Sequence, residues 1–69
     1  MIWTIIKQRQ WVHNGDVKCV ETCTMQGSHD SATALAQAIS LFNERPRNLN
    51  KTFVNVVALV KGDHPVVSV

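Results

Sequence analysis

Residues 2–25, IWTIIKQRQWVHNGDVKCVETCTM, decide the fold of this chain. At their centre stands Asn14-Gly15, between two runs rich in β-branched and aromatic residues. Asn-Gly is the strongest short-range hairpin signal, because both central positions of the favoured tight turn need positive φ. Residues 2–12 therefore read as one strand and residues 17–25 as its antiparallel return. With Asn14-Gly15 as a two-residue turn, Val12 faces Val17, Gln10 faces Cys19, Gln8 faces Glu21, Ile6 faces Cys23 and Thr4 faces Met25. That register puts Ile2, Ile6, Cys23 and Met25 on one face, the expected inner one.

Downstream of the hairpin, Gly27-Ser28-His29-Asp30 breaks the strand and offers helix caps, since Ser28 or Asp30 can accept from the free N–H groups of a first turn. Residues 31–44, SATALAQAISLFNE, follow with helical periodicity. Ala34, Leu35, Ala38, Ile39, Leu41 and Phe42 fall on one wide arc, opposite Thr33, Gln37, Ser40 and Glu44. Pro46 disfavours helical geometry at Arg45, so the helix is expected to stop there before a polar loop running to Lys51. Residues 52–60, TFVNVVALV, are apolar at both parities, as in a central strand covered on both sides. Phe53, Val57 and Leu59 share one face of it. After a turn at residues 61–64, Pro65 to Val69 read as a short edge strand, where a leading proline is tolerated.

The resulting expectation is an α+β fold of type ββαββ: an antiparallel sheet of order 2-1-3-4 with one helix packed on one face. Residues 1–69 form a single small domain, because a chain of this length has room for one core. A fourteen-residue helix spans ~21 Å and an eleven-residue strand ~36 Å, so one helix leaves part of the hairpin bare. Residues 8–21 are accordingly expected to project as a two-stranded arm.

Composition narrows the function classes. The chain is 45% hydrophobic and 17% charged, too apolar for disorder, and its formal charge of +2 is far from that of a polybasic tail. No stretch has the length and apolarity of a membrane span or the layout of a signal peptide, so the expected location is cytoplasmic, without membrane association. Cys19 and Cys23, four apart in a strand, would have Cα atoms ~13 Å apart, too far for a bridge or a shared zinc ion. They are expected to be buried structural thiols.

The catalytic candidates are weak. His13 and His64 lie at turns, His29 lies beside a cap, and the carboxylates Asp16, Glu21, Asp30, Glu44 and Asp63 are scattered over different elements. The chain shows no nucleophile–base pair, metal-ligand spacing or glycine-rich phosphate loop, so no enzyme activity, cofactor or metal is expected.

Two surface constellations remain. If strand three neighbours strand one, Trp3, Ile5, Phe53, Val57 and Leu59 form an apolar patch away from the helix, and a patch of that kind marks a protein contact. A bulge in strand three would turn some of these residues inward instead. The second constellation is Trp3, Lys7, Arg9, Trp11 and Lys18, where rings alternate with cations in the manner of a stacking-plus-phosphate surface. Its competing reading is a solvated outer face with locally packed tryptophans. The leading expectation is a non-catalytic interaction module, a homodimer that also binds a protein partner; the alternative is a nucleic-acid binder. Compact ββαββ chains of this length are common among phage-borne accessory proteins and inhibitors, an analogy at the level of fold alone.

Overall fold

The computed structural model describes residues 1–64 of the chain. Strand β1 spans Ile2–Trp11, β2 Val17–Gln26, helix α1 Ser31–Phe42 and β3 Thr52–Lys61. The sheet is antiparallel in the order β2-β1-β3, with α1 on one face. The α+β class and the placement of the first three strands agree with the sequence reading. The fourth strand expected over residues 65–69, and with it the full ββαββ order, lies outside the described residues.

The hairpin is where sequence and structure part. Among the described residues no non-glycine has positive φ, so Asn14 does not take the conformation a two-residue turn needs; Gly15 alone does, at φ 76°. The chain instead makes a wider loop, in which Gly15 N donates to the Trp11 carbonyl at 2.8 Å and Trp11 N donates to the Asp16 carbonyl at 2.9 Å. Asn14 serves the loop through its side chain, its Oδ1 accepting from Asp16 N at 2.9 Å. The wider loop moves the pairing by two residues, setting Gln10 opposite Val17, and a bulge that leaves Lys18 unpaired takes one back. Beyond it the ladder stands one residue from expectation: Trp3 pairs with Met25, Ile5 with Cys23, Lys7 with Glu21 and Arg9 with Cys19. A one-residue slip exchanges the two faces of a strand. Trp3 and Ile5, not Ile2 and Ile6, therefore share the helix side with Cys23 and Met25.

A further irregularity sits on the other side of β1. The β1–β3 register changes between Ile6 and Lys7, which pair with Ala58 and Val56, leaving Val57 as the extra residue of a bulge. Leu59, opposite Ile5, is thereby brought to the helix side, while Phe53, opposite Gln10, lies on the far side. Pairing of β3 with β1 continues to Trp11 and Thr52. The distal hairpin is thus part of a three-stranded sheet, not the two-stranded arm expected over residues 8–21.

The core is small. Trp3, Ile5 and Met25 meet Ala34 and Ala38, with Cys23, Phe42, Val56 and Leu59 packed around them. Ile5 is fully buried, which contributes about 1.5–3 kcal/mol. Ala34 and Ala38, one turn apart, let the helix approach the sheet closely. Their smallness has a cost: the wide apolar arc expected of the helix is only partly used, and Leu35, Ile39 and Leu41 stay exposed. The helix starts at Asp30, whose Oδ2 accepts from Thr33 N at 2.9 Å, and ends at Asn43, whose N–H returns to the Ile39 carbonyl. Gly27 sits in a tight place just before it: a Cβ there would lie 3.3 Å from Trp3 Cδ1 and 2.9 Å from Met25 Cε, the movable end of that side chain.

Beyond the helix the chain runs along the outer edge of β3. Asn43 Oδ1 accepts from Val56 N at 2.7 Å, and Glu44 N donates to the Val54 carbonyl at 2.9 Å. That edge is partly satisfied by the loop, which discourages pairing with another strand.

Candidate interaction surfaces

Residues paired across a ladder share a face, so the register defines both sides of the sheet. The side away from α1 carries Ile2, Ile6, Val17, Val20, Phe53, Ala58 and Val60, interspersed with threonines and amides. Ile2, Val17, Val20 and Val60 are exposed, and Val57 at the bulge is 48% exposed. The described chain lays only the turn at Gly62–His64 on this side: Thr4, 4% exposed, donates from Oγ1 to the Gly62 carbonyl and accepts from His64 N. Asn55 and Gln10 are joined at 2.6 Å nearby.

This is not the patch read from the sequence. Trp3 and Ile5 lie in the core, Leu59 packs against it, and of the five expected partner-binding residues Phe53 and Val57 alone stay away from it. The open face is assembled instead from residues that the expected register had turned inward, Ile2 and Ile6, with Val20, Ala58 and Val60. Locating them required the true register, which the Asn-Gly signal misplaced.

The helix side holds the second surface. Past the end of α1, β1 continues with Lys7, Arg9 and Trp11. Lys7 Nζ sits 4.9 Å from the centroid of Phe42. Arg9 spans the sheet: Nε and Nη2 donate to the Glu21 carboxylate at 3.2 and 3.3 Å, and Nη1 donates to Thr52 Oγ1 at 3.1 Å. The Arg9 hydrogen bond holds the Glu21 carboxyl below the usual carboxylate range, and Glu21 in turn raises the Arg9 guanidinium. Lys18 Nζ lies 5.2 Å from the centroid of Trp11, and the Trp11 and His13 rings are 5.9 Å apart at 51°. Of the five residues expected to meet nucleic acid, Lys7, Arg9, Trp11 and Lys18 are brought together, and Trp3 is buried away from them.

The loop between α1 and β3 adds what the sequence reading passed over as merely polar. Asn43, Glu44, Arg45, Arg47, Asn48, Lys51 and Thr52 line a concavity of about 450 Å³. The available signal was three cations within seven residues of a proline-broken loop. Across the 48–51 turn lies a shallower hollow of about 320 Å³ between Trp11, His13, Leu49 and Asn50.

Both cysteines carry free thiols; Cys19 is exposed, contrary to the expected burial, and Cys23 is half-buried. Among the described residues no group of three or more potential metal ligands occurs, and no helix is long and apolar enough to cross a membrane. Comparison with protein-family models, curated proteins and solved structures finds no match.

Proposed function

We propose that the chain is a non-catalytic interaction module whose open sheet face binds protein, a second copy of itself in the first instance. The observation carrying this reading is the imbalance between the two sides of the sheet. The core cluster has five buried residues, three of them side chains larger than alanine, whereas the opposite side presents Ile2, Ile6, Val20, Phe53, Ala58 and Val60 with, among the described residues, nothing but a turn over Thr4. Small domains whose own core is thin commonly complete it by association. A flat, largely uncharged β-surface matches itself across a two-fold axis, which is the simplest closed arrangement for like chains.

Light scattering coupled to gel filtration at micromolar concentration tests this. The wild type is expected at twice the chain mass. Val20→Lys and Val60→Lys, both at exposed positions, should give folded monomers by circular dichroism. A wild type that remains monomeric at high concentration refutes the self-association.

A further inference from the structure

The charges of this protein are segregated along the sheet. Lys61 pairs with Trp3 at one end. The other six lysines and arginines gather toward the opposite end and are linked by contacts: Lys7 to Phe42 at the loop entrance, Arg9 to Thr52, Lys18 to Trp11, and Arg45, Arg47 and Lys51 around the loop concavity. The carboxylates at this end are Asp16, Glu21 and Glu44, so the formal +2 of the chain divides into +3 here and −1 at the end holding Lys61, Asp30 and Asp63. Two of those three carboxylates are engaged, Glu21 by Arg9 and Asp16 by Asn14 Nδ2; the third, Glu44, lines the loop concavity beside Arg45, Arg47 and Lys51, which leaves that concavity net cationic.

We propose that this end binds single-stranded nucleic acid, with phosphates in the Arg45/Arg47/Lys51 concavity and a base in the Trp11/His13 hollow. Phosphodiester is favoured over an acidic peptide because the cationic concavity adjoins an aromatic one. The two share the 48–51 turn, Asn48 and Lys51 facing one and Leu49 and Asn50 the other. Single-stranded recognition has this composition: cations along the backbone and a ring against a splayed base. Asn50 lines the base hollow with both a donor and an acceptor for a base edge. Arg9 is not a phosphate ligand in this arrangement. Its guanidinium is committed to Glu21 and Thr52, so it positions the β3 start from which the concavity opens. The site therefore differs from the Trp3, Lys7, Arg9, Trp11, Lys18 stripe in resting on loop residues, and it is independent of the open sheet face.

Fluorescence anisotropy with labelled oligothymidylate and oligouridylate of about 12 nucleotides tests the proposal. Three phosphate contacts give a log–log salt slope of about −2, so affinity should fall roughly 20-fold between ~50 and ~200 mM salt. Arg47→Gln, in an exposed loop, should reduce the slope by about 0.7, and Arg45→Gln/Arg47→Gln/Lys51→Gln together should remove most of the salt dependence. Trp11→Ala should weaken binding by roughly 5- to 150-fold, with Trp11→Phe, which keeps a ring, restoring most of it. The two oligomers separate RNA from DNA as the preferred strand. Absence of binding at ~50 mM salt overturns the proposal. So does binding indifferent to the loop substitutions, or equal binding of polyglutamate, which would mark a general polyanion surface.

Discussion

The indole Nε1 of Trp3 donates to the backbone carbonyl of Ser28 at 2.8 Å. The bond fastens the start of the central strand to the turn that launches the helix, and it lets a large side chain that is 3% exposed bury its one polar atom with a partner.

Trp3→Phe keeps most of the ring packing and removes that donor. The Ser28 carbonyl then loses its partner at a part-buried site, which costs about 1–3 kcal/mol. Urea unfolding followed by Trp11 fluorescence should show a lower midpoint with an unchanged slope; an unchanged midpoint would show that the bond contributes nothing net.

Thr4 offers a comparable test on the other side of the sheet. Its hydroxyl donates to the Gly62 carbonyl at 2.7 Å and accepts from His64 N at 2.9 Å while almost fully buried. Thr4→Val preserves shape and orphans both groups, with an expected loss of about 1–3 kcal/mol. Faster amide exchange at His64 should accompany it, and Thr4→Ser should recover most of the protection.

Helix capping predicts a pH dependence. The Asp30 carboxyl is held below its ordinary value, first by the Thr33 hydroxyl and then by the Thr33 backbone N–H. A pKa lower in the folded than in the unfolded state adds stability that is fully present above the unfolded value and lost as pH falls through the folded one. Thermal unfolding of Asp30→Asn should accordingly fall off less steeply than wild type below pH ~4. Equal slopes in the two proteins would remove Asp30 from the acid response.

The two thiols should separate kinetically. Cys19 is exposed and Cys23 half-buried against the core, so a thiol reagent is expected to label Cys19 first in the folded state and Cys23 only slowly. Mass spectrometry of partially labelled protein reads the order directly, and simultaneous labelling would contradict the packing of Cys23.

Element types were legible because hydrophobic periodicity and cap residues report on local structure. Asp30 announces the helix, and the mixed apolar pattern of residues 52–60 announces β3. Register was not legible, because it depends on three local irregularities that leave no mark in periodicity. The conformation of Asn14 widens the hairpin loop, the bulge at Lys18 reverses the faces of β2 relative to the expected pairing, and the bulge at Val57 re-aims Leu59 relative to Phe53. The two bulges, at Lys18 and Val57, move side chains from one face to the other, which is why Trp3 and Ile5, expected on an open patch, form the core. Helix burial was overestimated for a related reason: Ala34, Ala38 and the half-buried Phe42 face the core, and the arc from Leu35 to Leu41 is wider than that contact. The loop cations Arg45, Arg47 and Lys51 were visible as residues, but their convergence on one concavity belongs to the tertiary path along β3.

Placing the first strand in the middle has a consequence for how the chain acquires its structure. The β1–β2 hairpin can close over a short loop, but β1 gains its second neighbour only when Thr52–Lys61 arrives, about fifty residues later along the chain. Contacts between distant segments slow folding, because loop entropy is lost before the ladder forms. During synthesis the hairpin therefore waits with one edge of its central strand unsatisfied, while the helix that will cover Trp3 and Ile5 is made before the strand that completes their surroundings. The sheet is in this sense completed late: the arrival of Thr52–Lys61 at β1 converts a marginal hairpin and helix into three paired strands.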